Sequence, residues 1–410
     1  MKSDFVCKTA CRICGGGSLV PILDLGAMPL ANAFLKEEEL SKPERKFPLV
    51  LCFCPKCGLA QLSVAVNPDI LFRHYDYFTS ASKPLAEHFI QSADNLVKRF
   101  IKSKNDLTLE LGGNDGVLLA SIRDRCRTLN IEPAENVAAA SRERGVETLN
   151  EFFSSSLAER ILKTHGKARL IVANNVVAHV DDIADVFQGV KALLENEGAF
   201  VFEVHWVGNL IGEGGFDQIY HEHLSYFSLG ALQYLARSLG LAIFDAELIP
   251  IHGQSLRVYV GRGFDANPAV GAILKQEKEF GLDRAEPFLR FAKRVEENKR
   301  GLFQLLSGLK KDGKTIAGYG APAKGNTLLN YFGIDRKLLD FITDTTPAKQ
   351  GLFTPGSHIP ICPPEAIIKN RPDYMVLLAW NYADAIIAKE TGYRNGGGKF
   401  IIPVPEIKII

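Results

Sequence analysis

Two Cys-x-x-Cys pairs near the start, and two separate strand–glycine turn–helix segments further on, predict an α/β protein of three parts. The expected parts are a small N-terminal four-cysteine zinc-binding domain, a central Rossmann-like unit and a second Rossmann-like α/β unit at the C-terminal end. The divisions fall at residues 1–68, 69–250 and 251–410, with a helical linker in the last. At 410 residues the chain is too long for one ordinary core. Hydrophobic residues at 46% and charged residues at 23% are the profile of a soluble globular protein. A formal net charge of +1 gives no electrostatic case for nucleic acid or an anionic membrane as partner. No apolar run approaches the roughly 18 residues of a membrane span. The opening stretch lacks the apolar core of a signal peptide, so a cytoplasmic protein is expected.

The cysteines come first. Cys7, Cys11 and Cys14 are followed by Cys52, Cys54 and Cys57, and only Cys126 and Cys362 lie elsewhere. In a reducing compartment such clustering favours metal over disulfides. "CRIC" supplies Cys11 and Cys14, and "CPKC" supplies Cys54 and Cys57; the two-residue gap lets both thiolates of a pair reach one tetrahedral ion. Gly15 and Gly58 follow directly, and a tight knuckle turn needs the positive φ that glycine adopts without penalty. Four cysteines leave no open position for substrate, so the zinc is structural. Cys7 and Cys52 are spare thiols on this reading.

The central unit opens with "DLTLELGGNDGVLLASI": a short apolar strand, a glycine turn, then a helix from about Val117. Glu110, Gly112 and Gly116 keep the E-x-G-x-x-x-G spacing of S-adenosylmethionine-dependent methyltransferases, with Asn114 in place of a middle glycine and Asp115 beside it. Glycines let the backbone approach a cofactor, and a nearby acid can hold its ammonium group. "RTLNIEP" is a second strand ending in Glu132, a carboxylate suited to two ribose hydroxyls. "ARLIVANNVVAHVDD" is a buried strand with Asn174, Asn175 and His179 at its tip, and "GAFVFEVHW" is another, ending near Glu203 and His205. Ligands sit at such carboxyl strand ends, but NAD proteins share the ribose acid, so both cofactors fit these residues.

The stretch "YHEHLSYFS" then sets two histidines around a glutamate. In an extended stretch, His221 and His223 would point one way and Glu222 the other. "HGQSLRVYVGR" is a strand that can present His252, Ser255 or Arg257 to a cleft, and a charged, helix-periodic segment over about 284–310 links to the last unit. There "KKDGKTIAGYGAPAKGNTLLNYF" repeats strand, glycine turn and helix, with Gly318, Gly320 and Lys324. A strand ending at Asp344 follows, then Lys349, then a third strand with Asn381 at its tip. Helix N-termini suit a pyrophosphate, and Lys324 or Lys349 would add charge.

With these blocks assembled, the chain resembles the sugar C-methyltransferases that act on nucleotide-linked 4-keto-deoxysugars. The resemblance runs nearly end to end, through "LGAMPLANAFL", "CPKCGLAQL", "YDYFTSAS", "ELGGNDG", "ANNVVAHVDD", "DQIYHEHLSYFS", "HGQSLRVYV", "GYGAPAKGNTLLN" and "DTTPAKQGLFTPGSHIPI". Two departures are Gly113, where serine is expected, and Gln254, where a second glycine often stands. The resemblance implies S-adenosylmethionine as methyl donor and a nucleoside-diphosphate-linked 4-keto-deoxysugar as partner. It also implies methylation at C3 through an enolate, and a monomer.

On that resemblance His223 is the expected base, since an imidazole with a pKa near ~6.5 can take a proton at neutral pH. Glu222 orients or tunes its neighbours. Tyr220, His179 and one of Tyr75 and Tyr77, with a lean to Tyr77, hold the sugar or stabilise the enolate oxygen. His221, Arg257, Gly318, Gly320, Lys324, Lys349 and Asn381 are the remaining candidates for sugar-nucleotide contact. A metal on the His-Glu-His stretch is the weaker reading, because methyl transfer to an enolate needs none. The rival enzyme class, an NAD-dependent nucleotide-sugar epimerase or dehydrogenase, needs a Tyr-x-x-x-Lys or a cysteine nucleophile near the first glycine loop, and neither stands there.

Overall fold

The computed structural model describes residues 3–410 apart from His74, Asp76, Tyr77 and His252. Tyr77 and His252, both singled out from the sequence, therefore lie outside the described residues.

Strands β1 (Phe5–Cys7), β2 (Val20–Met28), β3 (Phe47–Phe53), β4 (Ala60–Leu62) and β5 (Val64–Val66) form the N-terminal part. β2, β3 and β4 make an antiparallel meander, and β1 pairs with β5. The free edge of β4 is taken by a strand from residues 225–226, which immediately follow the His-Glu-His stretch. The N-terminal sheet is thus completed by a piece of the central unit.

That unit begins with helix α1 (Lys83–Phe100), whose Leu85, Phe89, Ala93, Leu96, Val97 and Phe100 recur at helical spacing and form its buried stripe. Then come β6 (Leu107–Leu111), the short α2 (Val117–Ala120), β7 (Arg127–Ile131), α3 (Glu135–Glu143), β8 (Thr148–Leu149), α4 (Ser155–Thr164), β9 (Ala168–Asn174), α5 (Ile183–Leu193) and β10 (Leu194–His205). After β11 (Ser225–Tyr226) the strands β12 (Ala242–Ile249) and β13 (Ser255–Gly261) close the sheet. Its order is β12-β13-β10-β9-β6-β7-β8, parallel from β8 to β10, with β13 and β12 antiparallel at the edge. Helices α1 and α2 cover one face of the parallel strands, packing on Leu170, Val172 and Val201. Helices α4 and α5 cover the other, on Ile171, Ala173, Phe200 and Phe202. Strands buried on both faces read as apolar runs, which is why β6 and β9 are legible in the sequence. The division expected at residue 250 falls between β12 and β13, which pair as a hairpin of this sheet.

Helix α6 (Glu286–Lys311) is the expected linker helix; it buries Phe288, Phe291, Val295, Leu302 and Leu306 and exposes its charges. The last unit follows: β14 (Ile316–Tyr319), α7 (Ala323–Phe332), β15 (Ile342–Thr343), β16 (Ile361–Cys362), β17 (Tyr374–Leu377), β18 (Lys399–Ile402) and β19 (Lys408–Ile409). The sheet order is β16-β15-β14-β17-β18-β19, parallel but for β19. In both sheets the order reverses beside the first strand, β6 against β9 and β14 against β17, and crevices form at such switch points. One hydrophobic cluster runs from Leu51 and Phe53 through Phe202, Phe216 and Phe227 to Phe288 and Phe332, so the three parts share a core.

Candidate functional site

The four predicted cysteines converge. The ligand atoms of Cys11, Cys14, Cys54 and Cys57 all lie within 4.8 Å of one another, as a tetrahedral zinc site requires. The two knuckles are built alike: Gly15 N–H donates to Cys11 O at 3.0 Å, and Gly58 N–H to Cys54 O at 2.9 Å. Both glycines have the expected positive φ, 65° and 77°. Cys7 and Cys52, on β1 and β3, stand outside the cluster.

At the carboxyl ends of β6 and β9, several polar atoms are buried without partners among the described residues. Glu110 is buried with Oε2 unpaired, and Asn174 Nδ2 and Asn175 Oδ1 are likewise unpaired. Burial, with Glu132 and Asp115 nearby, pushes the Glu110 carboxyl up to about 8. Orphaned donors and acceptors around one strand edge are what a polar cofactor satisfies, so this donor set fits the expected adenosyl methyl donor. Glu132 accepts from Asn114 N–H at 3.0 Å and Ala134 N–H at 2.9 Å, which shapes the loop. Asn114 has φ 50° and its Oδ1 accepts from Thr79 N–H at 2.8 Å, tying the glycine loop to the segment before α1. Gly112 and Gly116, at φ 60° and 75°, admit no Cβ: one would meet Val176 Cγ2 at 2.5 Å and the other Ser141 Oγ at 2.5 Å. Asp115 stands in the same loop. It is fully buried; its Oδ2 accepts from Arg144 Nη2 at 2.9 Å, and its Oδ1 has no partner among the described residues.

The Tyr220–His223 stretch is a turn rather than a strand, closed by His223 N–H donating to Tyr220 O at 2.9 Å. The two histidines consequently part company, against the expectation of a shared face. His221 is 2% exposed and its Nε2 donates to the carbonyls of Phe47 and Pro48, both at 3.2 Å, so it anchors the turn to β3. His223 Nδ1 lies 3.0 Å from Gln218 O and its Nε2 3.1 Å from Tyr220 Oη. A carbonyl only accepts, so Nδ1 carries the proton and Nε2 is the basic nitrogen. The rings of His179 and His205 each approach that of His223 at 5.0 Å between centroids. Burial lowers the His179 imidazole to about 3, so it is neutral. The Glu222 backbone carbonyl lies against its ring, and Nδ1 has no partner among the described residues. Burial raises the Tyr220 phenol well above its ordinary range, so it stays a donor. Glu222, also raised by burial, accepts from Asn32 Nδ2 at 2.7 Å and faces the Tyr75 hydroxyl at 3.5 Å.

Arg257 is not offered to a cleft: it pairs with Glu203 at 2.6 Å and Glu247 at 2.9 Å. In the last unit a crevice of about 420 Å³ opens at the switch point, lined by Gly320, Thr343, Asp344, Lys349, Ala379 and Lys389 among others. Gly320, at φ 82°, and Lys349 are thus at the crevice, while three other expected residues are not. Gly318 is a packing glycine, since a Cβ there would stand 2.7 Å from Ile342 Cγ1. Lys324 is folded over the Trp380 ring at 3.9 Å, its pKa lowered by burial, beside the buried Asp217. Asn381 is exposed, on the turn Trp380–Tyr382 whose Trp380 is buried.

Three residues of the site were not anticipated. Asn130 braces the glycine loop, accepting from Gly113 N–H at 3.0 Å and donating to Asn114 O at 3.1 Å. A Cβ at Gly113 would lie 2.4 Å from Asn130 Oδ1, which explains glycine where serine was expected. An asparagine inside an apolar parallel strand is a signal the sequence carries. His205, at the end of β10, was noted only as a strand end. Asn32 belongs to the N-terminal part, and nothing local marks it.

Family models match three stretches of the chain: a zinc binding domain at 11–72, a methyltransferase domain at 85–246 and a C-methyltransferase C-terminal domain at 250–405. The C-methyltransferase NovU of Streptomyces niveus is 39% identical over 404 residues, which span 98% of this chain and 96% of that protein. Among solved structures, the magnesium protoporphyrin IX methyltransferase of Synechocystis PCC 6803 with bound S-adenosylmethionine is 10% identical, covering 46% of this chain and 86% of its own, with a TM-score of 0.34. An S-adenosylmethionine-dependent methyltransferase of Clostridium acetobutylicum is 14% identical, covering 43% and 90%, with a TM-score of 0.34.

Proposed function

Because the chain belongs to the S-adenosylmethionine-dependent C-methyltransferase family, we propose that it methylates C3 of a nucleoside-diphosphate-linked 4-keto-6-deoxyhexose in branched deoxysugar biosynthesis. The observation that carries this reading is the His223 imidazole, with Nδ1–H held by Gln218 O and Nε2 turned toward the Tyr220 hydroxyl.

A C4 ketone acidifies the hydrogen on C3. His223 Nε2 takes that proton, and the C–H electron pair moves into the enolate. The Tyr220 and Tyr75 hydroxyls donate to the oxygen on which charge develops. His179 accepts from a sugar hydroxyl through its unpartnered Nδ1. S-adenosylmethionine supplies the methyl group, released from its sulfonium as the new bond to C3 forms. Glu110, Glu132, Asn174 and Asn175 hold that cofactor, and the four-cysteine cluster holds a structural zinc ion. The crevice around Gly320 and Lys349 receives the nucleotide handle, with two lysines among its lining residues to meet phosphate charge. The three parts so divide into zinc, methyl-donor and sugar-nucleotide units of one cytoplasmic monomer.

The test is an incubation with labelled S-adenosylmethionine and a panel of nucleotide 4-keto-6-deoxysugars in heavy water, read by mass spectrometry. A product heavier by one methyl group, with deuterium entering C3 of unreacted sugar, is expected. His223→Asn should lower kcat by ~10²–10⁴-fold and abolish the deuterium wash-in while both ligands still bind. Full turnover in that variant removes His223 as base; transfer to no panel member removes the sugar.

A further inference from the structure

The loop between the two cysteine pairs reaches into the site. Ala31 O accepts from the buried Asn326 Nδ2 at 2.7 Å, and Leu35 exchanges backbone hydrogen bonds with Phe353 at 2.9 and 2.8 Å. These contacts pin the loop to the C-terminal unit on both sides of Asn32. Between them Asn32 Nδ2 donates to Glu222 Oε1 at 2.7 Å, a side chain only 6% exposed. The other Glu222 oxygen has only the long 3.5 Å contact with Tyr75, so among the described residues the Asn32 amide is its one short side-chain donor.

We propose that Asn32, from the N-terminal zinc-bearing part, is a positioning residue of the active site, holding the Glu222 carboxylate beneath Tyr75 and thereby setting the turn that carries His223. The proposal rests on the reading of Tyr220–His223 as the acid/base site. Two further contacts join this turn to the same part of the chain, and a third ties it to the segment that carries His179. The strand β11 pairs with β4, Leu62 N–H donates to Leu224 O at 2.9 Å, and Leu224 N–H donates to Ala178 O at 2.8 Å next to His179.

The physical role follows from burial. Removal from water disfavours the charged form of Glu222, and a hydrogen bond to the carboxylate favours it. The titratable groups facing this carboxylate are the Tyr75 and Tyr220 phenols, and the His179 ring sits on its backbone carbonyl. No ion pair holds Glu222 among the described residues. Without the Asn32 amide the carboxyl therefore takes up a proton at higher pH than before.

The experiment uses the full zinc-bearing chain labelled with carbon-13 at the glutamate side-chain carboxyls, the Glu222 resonance being identified by its loss in Glu222→Gln. Asn32→Leu, close in size but with no donor, should raise the titration midpoint of that resonance by about one pH unit, the scale of one hydrogen bond to a charged group. Asn32→Asp, a second carboxylate against Oε1, should raise it further, and Asn32→Ser should restore part of the wild-type value. With a thymidine-diphosphate 4-keto-6-deoxyhexose as acceptor, the acidic limb of the kcat profile should move by the same amount in Asn32→Leu, with KM for the methyl donor unchanged. A midpoint in Asn32→Leu equal to wild type overturns the proposal, and the titration needs no substrate. Full turnover in both Glu222→Gln and His223→Asn would instead overturn the acid/base reading, whatever Asn32 does to the titration.

Discussion

Glu110 illustrates how much chemistry one misplaced-looking side chain can carry. It interrupts the apolar strand β6, is buried, and keeps Oε2 without a partner among the described residues. Its carboxyl is raised from an ordinary 4.5 to about 8. The folded chain therefore retains a proton that the unfolded chain releases. This group's contribution to stability is greatest below about pH 4.5 and is lost as pH rises through about 8. Glu110→Gln should flatten that slope in thermal unfolding. A cationic ligand reverses the preference, so S-adenosylmethionine should bind more tightly as pH rises toward 8 and release about one proton per molecule bound near pH 7. Calorimetry in buffers of different ionisation enthalpy reads the proton directly; binding independent of pH would exclude Glu110 from the cofactor site. At this scale the sequence was informative. The acid, the loop glycines and the four cysteines all reached the places expected. The role of Asn130 was not foreseen because its partner atoms, on Gly113 and Asn114, belong to another strand's loop. Gln254 stands where a glycine was expected and adopts φ 85°, so the departure puts a side chain on left-handed backbone at an expense of ~1–2 kcal/mol.

Among elements, the glycine loop is the one whose geometry leaves least room. Gly116 combines φ 75° with a hydroxyl 2.5 Å from any added Cβ. Gly116→Ala should lower stability by ~2–3 kcal/mol and Tm by roughly 4–10 °C, and weaken the methyl donor's binding more than that of the sugar nucleotide. Differential scanning calorimetry and a binding titration check both; an unchanged Tm would mean the loop is looser than its geometry. The His-Glu-His stretch shows the limit of local patterning. Alternation is a property of extended chain, and the turn between Tyr220 and His223 cancels it, sending His221 to β3 and His223 to the Gln218 carbonyl and the Tyr220 hydroxyl. Long, strongly periodic elements such as α6 were legible almost to the residue, since their own apolar spacing specifies them. The two-residue β11 had no such signal, because its partner β4 is distant in sequence.

Taken whole, the molecule joins its zinc knuckle to its proposed base by a short chain of contacts. Arg12, next to Cys11, donates from its backbone to Gln61 Oε1 at 2.8 Å, and Gln61 pairs across β4 with Ser225 of β11. Its guanidinium reaches Asp181 at 3.1 Å, two residues beyond His179. Zinc removal by a chelator, or Cys54→Ser, should therefore raise hydrogen exchange at 220–228 as well as at 10–16 and 52–62, and leave 107–117 protected. Exchange at 220–228 that ignores the metal would show that β4 holds its register without the knuckle. The sequence alone determined the metal ligands, the two glycine-loop units and the acids at their strand tips, because each depends on residues a few positions apart, whose spacing and apolar periodicity fix local geometry. Only the tertiary structure decided that His221 is anchored to β3, that Lys324 folds onto Trp380, and that Asn32 meets Glu222. Those contacts join residues from 56 to 190 positions apart, or turn on how such distant segments pack, and no local preference of the chain encodes them.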